Sequence, residues 1–368
     1  MYPQGSGVAL AAYGSDAKPE DFVVSFRPGR RFEHVRFSTF HPNPAFPSQA
    51  HACKSLEAFV VGLVDPIREP QGLRRLFRRR SVPMGRGLYL DGGFGVGKTH
   101  LLTSAYFAAV GQGQQEAANG QVVAGRPGLL SFHELMYAVG VLGMQRAVDT
   151  CSGATLLCID EFELDDPGNT HLVNKFLAGI MPRGCSVIAT SNTPPGALGE
   201  GRFNSHRFQQ QIRSIADRFE TLRLDGPDYR QRGHKPAELL TAGEYKVWAA
   251  QQHTDSFAQL DAAELQDLLL TVHPAHFAQL LHGVRALGVT GLTTMTHEDP
   301  LLRENTAIRF VHFVDKVYEM GLSLGLTGVP LRQLFHESYR DRGYAKKYAR
   351  CLSRLSEMMT EARETVGS

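Results

Sequence analysis

GLYLDGGFGVGKTHLL, residues Gly87–Leu102, is the stretch that decides the fold. Gly87–Leu90 reads as a short strand, Asp91–Gly97 as a glycine-rich loop, and Lys98–Val110 as a helix with small and apolar residues on its inner side. The run Gly92, Gly93, Phe94, Gly95, Val96, Gly97, Lys98, Thr99 fits GxxxxGK[ST] at that strand-to-helix junction. Glycines at this spacing let consecutive backbone N–H groups turn inward around phosphate oxygens, while the helix directs its positive end to the same point. Lys98 is then placed for β- and γ-phosphates and the Thr99 hydroxyl for Mg²⁺. A glycine-rich turn that binds nothing is the bland alternative, and it does not require eight positions to agree.

Further along, Leu156–Leu157–Cys158–Ile159–Asp160–Glu161 is a short apolar run closed by two carboxylates, as expected of a parallel strand buried on both faces. Ligands of such sheets bind at the carboxyl ends of the strands. Asp160 is therefore expected to orient Mg²⁺ and Glu161 to polarise an attacking water, since phosphoryl transfer is catalysed mainly by positioning and charge. An acidic pair ending a strand also starts helices, a reading that the glycine loop displaces. Ser186–Asn192 (SVIATSN) is the next strand with a polar end, and it offers Asn192 to the γ-phosphate or the water from the opposite side. Taken alone, Asn192 before Thr193, Pro194, Pro195 and Gly196 reads as a turn residue.

Short apolar strands alternate with helices through the rest of the chain, which predicts a parallel sheet covered on both faces. Ser48–Val64 is expected as a helix capped by Ser48, Gln71–Arg80 as a second short one, and His133–Ala147 and Asn169–Ile180 as others. Beyond Gly226 and Pro227 a helical segment spans 262–281. Val289–Met295 and Leu322–Leu326 read as strands, Glu304–Met320 as a helix, Pro330 as a helix start and Tyr344–Val366 as a terminal helix.

Thirty-nine Lys and Arg against 37 Asp and Glu leave +2 in 368 residues, so net charge gives no ground for nucleic-acid binding. Residues 1–90 nevertheless carry 13 basic against seven acidic residues, including Arg27, Arg30, Arg31, Arg36 and Arg74, Arg75, Arg78, Arg79, Arg80. Such a front end suits phosphate or acidic protein, or is simply a solvated face. Cys53, Cys151, Cys158, Cys185 and Cys351 contain no CxxC pair, which suggests reduced thiols in a cytosol-like compartment, with Cys158 a small core residue. No apolar stretch approaches the ~20 residues of a membrane span, and no leader pattern opens the chain, so at most peripheral membrane contact is expected.

Together, GLYLDGGFGVGKTHLL, SFHELM (Ser131–Met136), LLCIDEFELDD (Leu156–Asp166), VIATSNTPP (Val187–Pro195) and LDGPDYR (Leu224–Arg230) resemble the ZapE-type AAA+ ATPases, bacterial cell division proteins and their mitochondrial relatives. RFVHFVDKVYEMGLSL (Arg309–Leu324) and RCLSRLSEM (Arg350–Met358) are similar to that family's C-terminal strand-helix unit and closing helix. The resemblance implies an α/β P-loop NTPase: an AAA+ parallel sheet flanked by helices, with an additional C-terminal αβ unit and a terminal helix. On it, residues 1–85 form an N-terminal arm and helical region, 86–235 the ATPase core, 236–285 a divergent helical insertion, and 286–368 the C-terminal αβ and helical part. It implies ATP and Mg²⁺ as ligands, ATP hydrolysis, and a homo-oligomer whose sites are completed between copies. It also implies a division-ring protein as partner, in the cytoplasm at the division site.

Arg354 becomes a candidate nucleotide sensor by the same resemblance, or else a surface arginine. The family's arginine three residues before a Phe is replaced here by Ser205 before Phe208, which leaves Arg207 or Arg202 as the candidate arginine finger. Residues 1–80 and 235–285 match the family poorly, so partner specificity does not carry over. Two rivals stand beside this reading: a helicase-loader-like ATPase that handles nucleic acid, and an ATP-binding scaffold that does not hydrolyse. The first lacks a helix-turn-helix or an aromatic-basic stacking platform, and intact Lys98, Asp160 and Glu161 speak against the second.

Overall fold

The computed structural model describes residues 26–63, 84–118, 125–164, 167–198, 209–227, 237–295, 300–337 and 345–367. These fall into two compact units, the first holding residues 26–28 and 32–227 of those described, the second 29–31 and 237–367. The expected Gln71–Arg80 helix lies outside the described residues.

In the first unit, β1 (Gly87–Gly92), β2 (Gly128–Ser131), β3 (Leu156–Asp160), β4 (Ser186–Ser191) and β5 (Phe219–Leu224) form one parallel sheet in the order β2-β3-β4-β1-β5. Its helices are α1 (Pro47–Val61), α2 (Lys98–Ala118), α3 (Phe132–Leu142), α4 (Met144–Cys151), α5 (Pro167–Ile180) and α6 (Gln209–Ala216). The interior strands β3 and β4 are buried at every position, which is why their middles, LLCI and VIA, read as apolar runs, while edge strand β5 exposes Glu220, Thr221 and Arg223.

Side chains alternate between the two faces. Leu88, Leu90, Leu156, Cys158, Ile188, Leu222 and Leu224 pack with Ala52, Leu56, Phe59 and Val60 of α1 and Leu101, Leu102 and Ala105 of α2. Tyr89 instead meets Phe162 and Phe219 at ring-centroid distances of 6.1 and 5.8 Å. Helix α1 thus belongs to the core of this unit. It begins at Pro47 and not with a Ser48 cap: proline needs no N–H partner in the first turn, and the Ser48 hydroxyl accepts from the Asp225 amide at 3.0 Å.

The single helix expected at His133–Ala147 is broken in two. Ser131 caps α3 through a reciprocal box with Glu134, and Gly143 at φ +77° turns the chain into α4. Cys158 is fully buried as expected of a core residue, and burial pushes its thiol well above its ordinary value.

The second unit is built on a parallel sheet β6 (Phe257–Asp261), β7 (Ala286–Leu292), β8 (Ser323–Gly328), in that order. Its helices are α7 (Ala242–Ala250), α8 (Ala262–Thr271), α9 (Phe277–Leu280), α10 (Pro300–Glu319) and α11 (Ala345–Gly367). The expected helical insertion at 236–285 is corrected by β6, which pairs with β7, and the expected helix from Pro330 by a single 3₁₀ turn, Leu331–Gln333. Asp261 ends β6 and caps α8 in a reciprocal box with Glu264. Trp248 is fully buried over Gly325, where any Cβ would collide with the indole, and its Nε1–H donates to Ser323 Oγ at 3.2 Å. Among the described residues no helix is long and apolar enough to cross a membrane.

Candidate active site

The loop after β1 reaches α2 through two left-handed glycines, Gly95 at φ +62° and Gly97 at φ +99°. A Cβ on Gly97 would sit 2.6 Å from the Phe40 ring, so the close approach of Phe40 also requires glycine there. Phe40 stands in turn against His100 at 5.4 Å, and His100 Nε2 donates to the Arg36 carbonyl at 3.2 Å. Burial lowers the pKa of His100 from its ordinary value, against the opposing hydrogen bond to Arg36.

Lys98 is folded back over the loop. Its Nζ donates to the carbonyls of Gly92 (2.7 Å) and Gly93 (2.5 Å) and to Asn192 Oδ1 (2.8 Å). Asn192, just past β4, donates its amide to Glu163 Oε1 at 3.4 Å. Burial pushes the Asp91 carboxyl up from its ordinary value, against the opposing pull of Arg223 and Lys98.

Thr99 Oγ1 donates to Asp160 Oδ2 at 2.9 Å, which joins the glycine loop to the end of β3. The other carboxylate oxygen, Oδ1, accepts a short hydrogen bond from the Thr190 hydroxyl and lies 3.0 Å from the Glu161 amide. Glu161 is the one non-glycine with positive φ among the described residues, at +55°. A hydroxyl and a carboxylate side by side at a helix N-terminus are the donor set that a phosphate-bound Mg²⁺ takes. Gly92–Thr99, Asp160, Glu161 and Asn192 are therefore brought together at the carboxyl ends of β1, β3 and β4.

The remaining candidates lie elsewhere. Arg202 and Arg207 are outside the described residues. Arg354 belongs to α11 in the second unit and is not a surface arginine: it is 5% exposed and ion-paired with Asp315, which Arg350 Nη2 also holds at 2.6 Å. Of the basic front end, Arg31 pairs with Glu357 and Glu361, both at 2.6 Å, and Arg36 lies over the Phe107 ring at 4.0 Å. Thr190 was not singled out from sequence. Its signal was present in the strand ending TSN, but its meaning depends on the pairing of β4 with β3.

This sheet, with its glycine loop, acidic strand end and polar neighbour strand, defines a P-loop NTPase of the AAA+ class. The sequence matches the AFG1-like ATPase family over residues 33–269 and 246–365, and the chain belongs to that family. Escherichia coli (strain K12) cell division protein ZapE is 28% identical over 319 residues, which span 75% of this chain and 78% of ZapE. The zebrafish (Danio rerio) lactation elevated protein 1 homolog B is 28% identical over 171 residues, 42% of this chain and 33% of its own. Among solved structures, the DnaC helicase loader aligns with a TM-score of 0.36 at 17% identity, covering 53% of this chain and 99% of that one.

Proposed function

We propose that this chain hydrolyses ATP at the Gly92–Thr99 loop. The observation that carries the reading is the meeting of Asp160 with Thr99, 61 positions away and next in sequence to Lys98, which itself donates to Asn192. The loop amides and Lys98 bind the β- and γ-phosphates, Lys98 exchanging its carbonyl partners for phosphate oxygens. Thr99 and Asp160 hold Mg²⁺, which supplies neutralisation of the charge that develops on the transferring phosphoryl group. Glu161 orients and polarises the attacking water, and Asn192 holds that water or the γ-phosphate from the far side. Arg207 or Arg202 of a neighbouring copy completes the site in a homo-oligomer. A sensing role for Arg354 requires its ion pair with Asp315 to open.

Similarity to a cell division protein supports a division-ring protein as the target, in the cytoplasm at the division site. The test is a titration of ATPase rate with the tubulin-like division-ring protein and with single-stranded DNA, at two salt concentrations. Stimulation by the ring protein and none by DNA is expected. Stimulation by DNA alone, falling steeply with salt and lost when Arg78, Arg79 and Arg80 become Ala, would favour the helicase-loader reading.

A further inference from the structure

Glu161 stands in a backbone conformation that side chains with a Cβ rarely adopt, and such strain persists only where the surroundings over-determine it. What over-determines it here is Asp160 Oδ1, 3.0 Å from the Glu161 amide, together with one residue of the neighbouring strand that holds that oxygen. Strands β3 and β4 run in parallel register up to Ile159 opposite Ala189, so Thr190 lies beside Asp160 one step further on. The Thr190 hydroxyl donates its hydrogen to Asp160 Oδ1 and accepts from the Glu161 amide at 3.1 Å. The Thr190 carbonyl accepts from the next amide, Phe162, at 2.7 Å. Thr190 is 1% exposed, so no water competes for these bonds.

We infer that Thr190 is a positioning residue for hydrolysis, its hydroxyl fixing at once the Asp160 carboxylate and the left-handed turn from which the Glu161 side chain departs. The inference rests on the ATP hydrolysis proposed above. A hydroxyl is required because one atom must donate to a carboxylate and accept from an amide, which neither a valine nor an alanine does. With Thr99 on Oδ2 and Thr190 on Oδ1, both Asp160 oxygens are engaged from opposite directions, which removes the freedom of the carboxyl to rotate. Partners of metal-holding carboxylates typically carry about 10–100-fold in activity.

The test compares Thr190→Val and Thr190→Ser with the unaltered chain. It reads kcat for ATP, the ATP Kd by calorimetry, and amide hydrogen exchange of the peptide containing Glu161 and Phe162 in nucleotide-free protein. Thr190→Val is expected to lower kcat about 10–100-fold, to change Kd by less than about threefold, and to speed exchange at Glu161. Thr190→Ser is expected to restore both kcat and exchange. Unaltered kcat and exchange in Thr190→Val would overturn the inference, as would a serine variant as impaired as the valine one, or exchange that rises throughout β3 and β4 in both. Should the valine variant fail to fold, Thr190→Ala removes the same hydroxyl and is read the same way. A lack of ATP turnover by the unaltered chain counts against the hydrolysis reading, whereas the exchange measurement alone still decides whether the hydroxyl holds the Glu161 amide.

Discussion

Lys98 Nζ and Asn192 Oδ1 lie 2.8 Å apart, so the cation of the glycine loop is already directed at the end of β4. Two loop carbonyls also accept from it, at 2.7 and 2.5 Å. Replacing it with Lys98→Ala removes three charge-assisted bonds from the loop together with the cation for the phosphates. ATP affinity measured by calorimetry is expected to fall at least about tenfold, on the scale of one charged hydrogen bond. Unchanged affinity would show that the phosphates do not sit at this loop.

Gly97→Ala strains the loop twice, through φ at +99° and through a Cβ 2.6 Å from Phe40. A loss of about 1–3 kcal/mol in stability is expected, read by denaturant unfolding, with weakened ATP binding. Adding Phe40→Ala relieves the collision and not the backbone strain, so only part of the loss should return. Full recovery would mean that the left-handed conformation itself costs nothing.

In the second unit, Arg354→Ala leaves Asp315 buried with one cation fewer, and breaking a buried pair in this way costs about 3–5 kcal/mol. Burial alone would raise the Asp315 pKa, but Arg350 and Arg354 outweigh it and bring it from 3.8 to about 2. A carboxyl depressed on folding contributes stability that is full above its unfolded pKa and is lost as pH falls through its folded one. The loss should fall between about pH 4 and pH 2, and in Arg354→Ala, where Asp315 is less depressed, it should be smaller and end at higher pH. A thermal melt of Arg354→Ala that matches the unaltered chain at neutral pH would remove Arg354 from the structural role.

The parts of the fold legible in the sequence are those where local chemistry and burial agree. LLCID and SVIATS read as strands because both of their faces are covered, and the glycine loop is specified by spacing alone. Strand β6 escaped notice because FAQLD is five residues long with one fully buried position, Ala258, and its pairing with β7 is a tertiary fact. Gly143, which divides α3 from α4, sits in an otherwise continuous helical pattern. In the site, Asp160 and Glu161 follow from a strand ended by acids. Thr190 and the left-handed turn at Glu161 depend on the register of two strands some 30 positions apart. The burial of Arg354 against Asp315, 39 positions earlier, was equally invisible to spacing.

The most direct measurement of the central claim is Mg²⁺-dependent phosphate release from ATP by the purified full chain, set beside Glu161→Gln. The amide keeps the size of the side chain and cannot act as a base for water, while Asp160, Thr99 and Lys98 are untouched. The expected result is steady turnover by the unaltered chain and a loss of about 10²–10⁴-fold in Glu161→Gln, with ATP still bound by calorimetry. Equal rates in the two proteins would contradict the assignment of hydrolysis to this site.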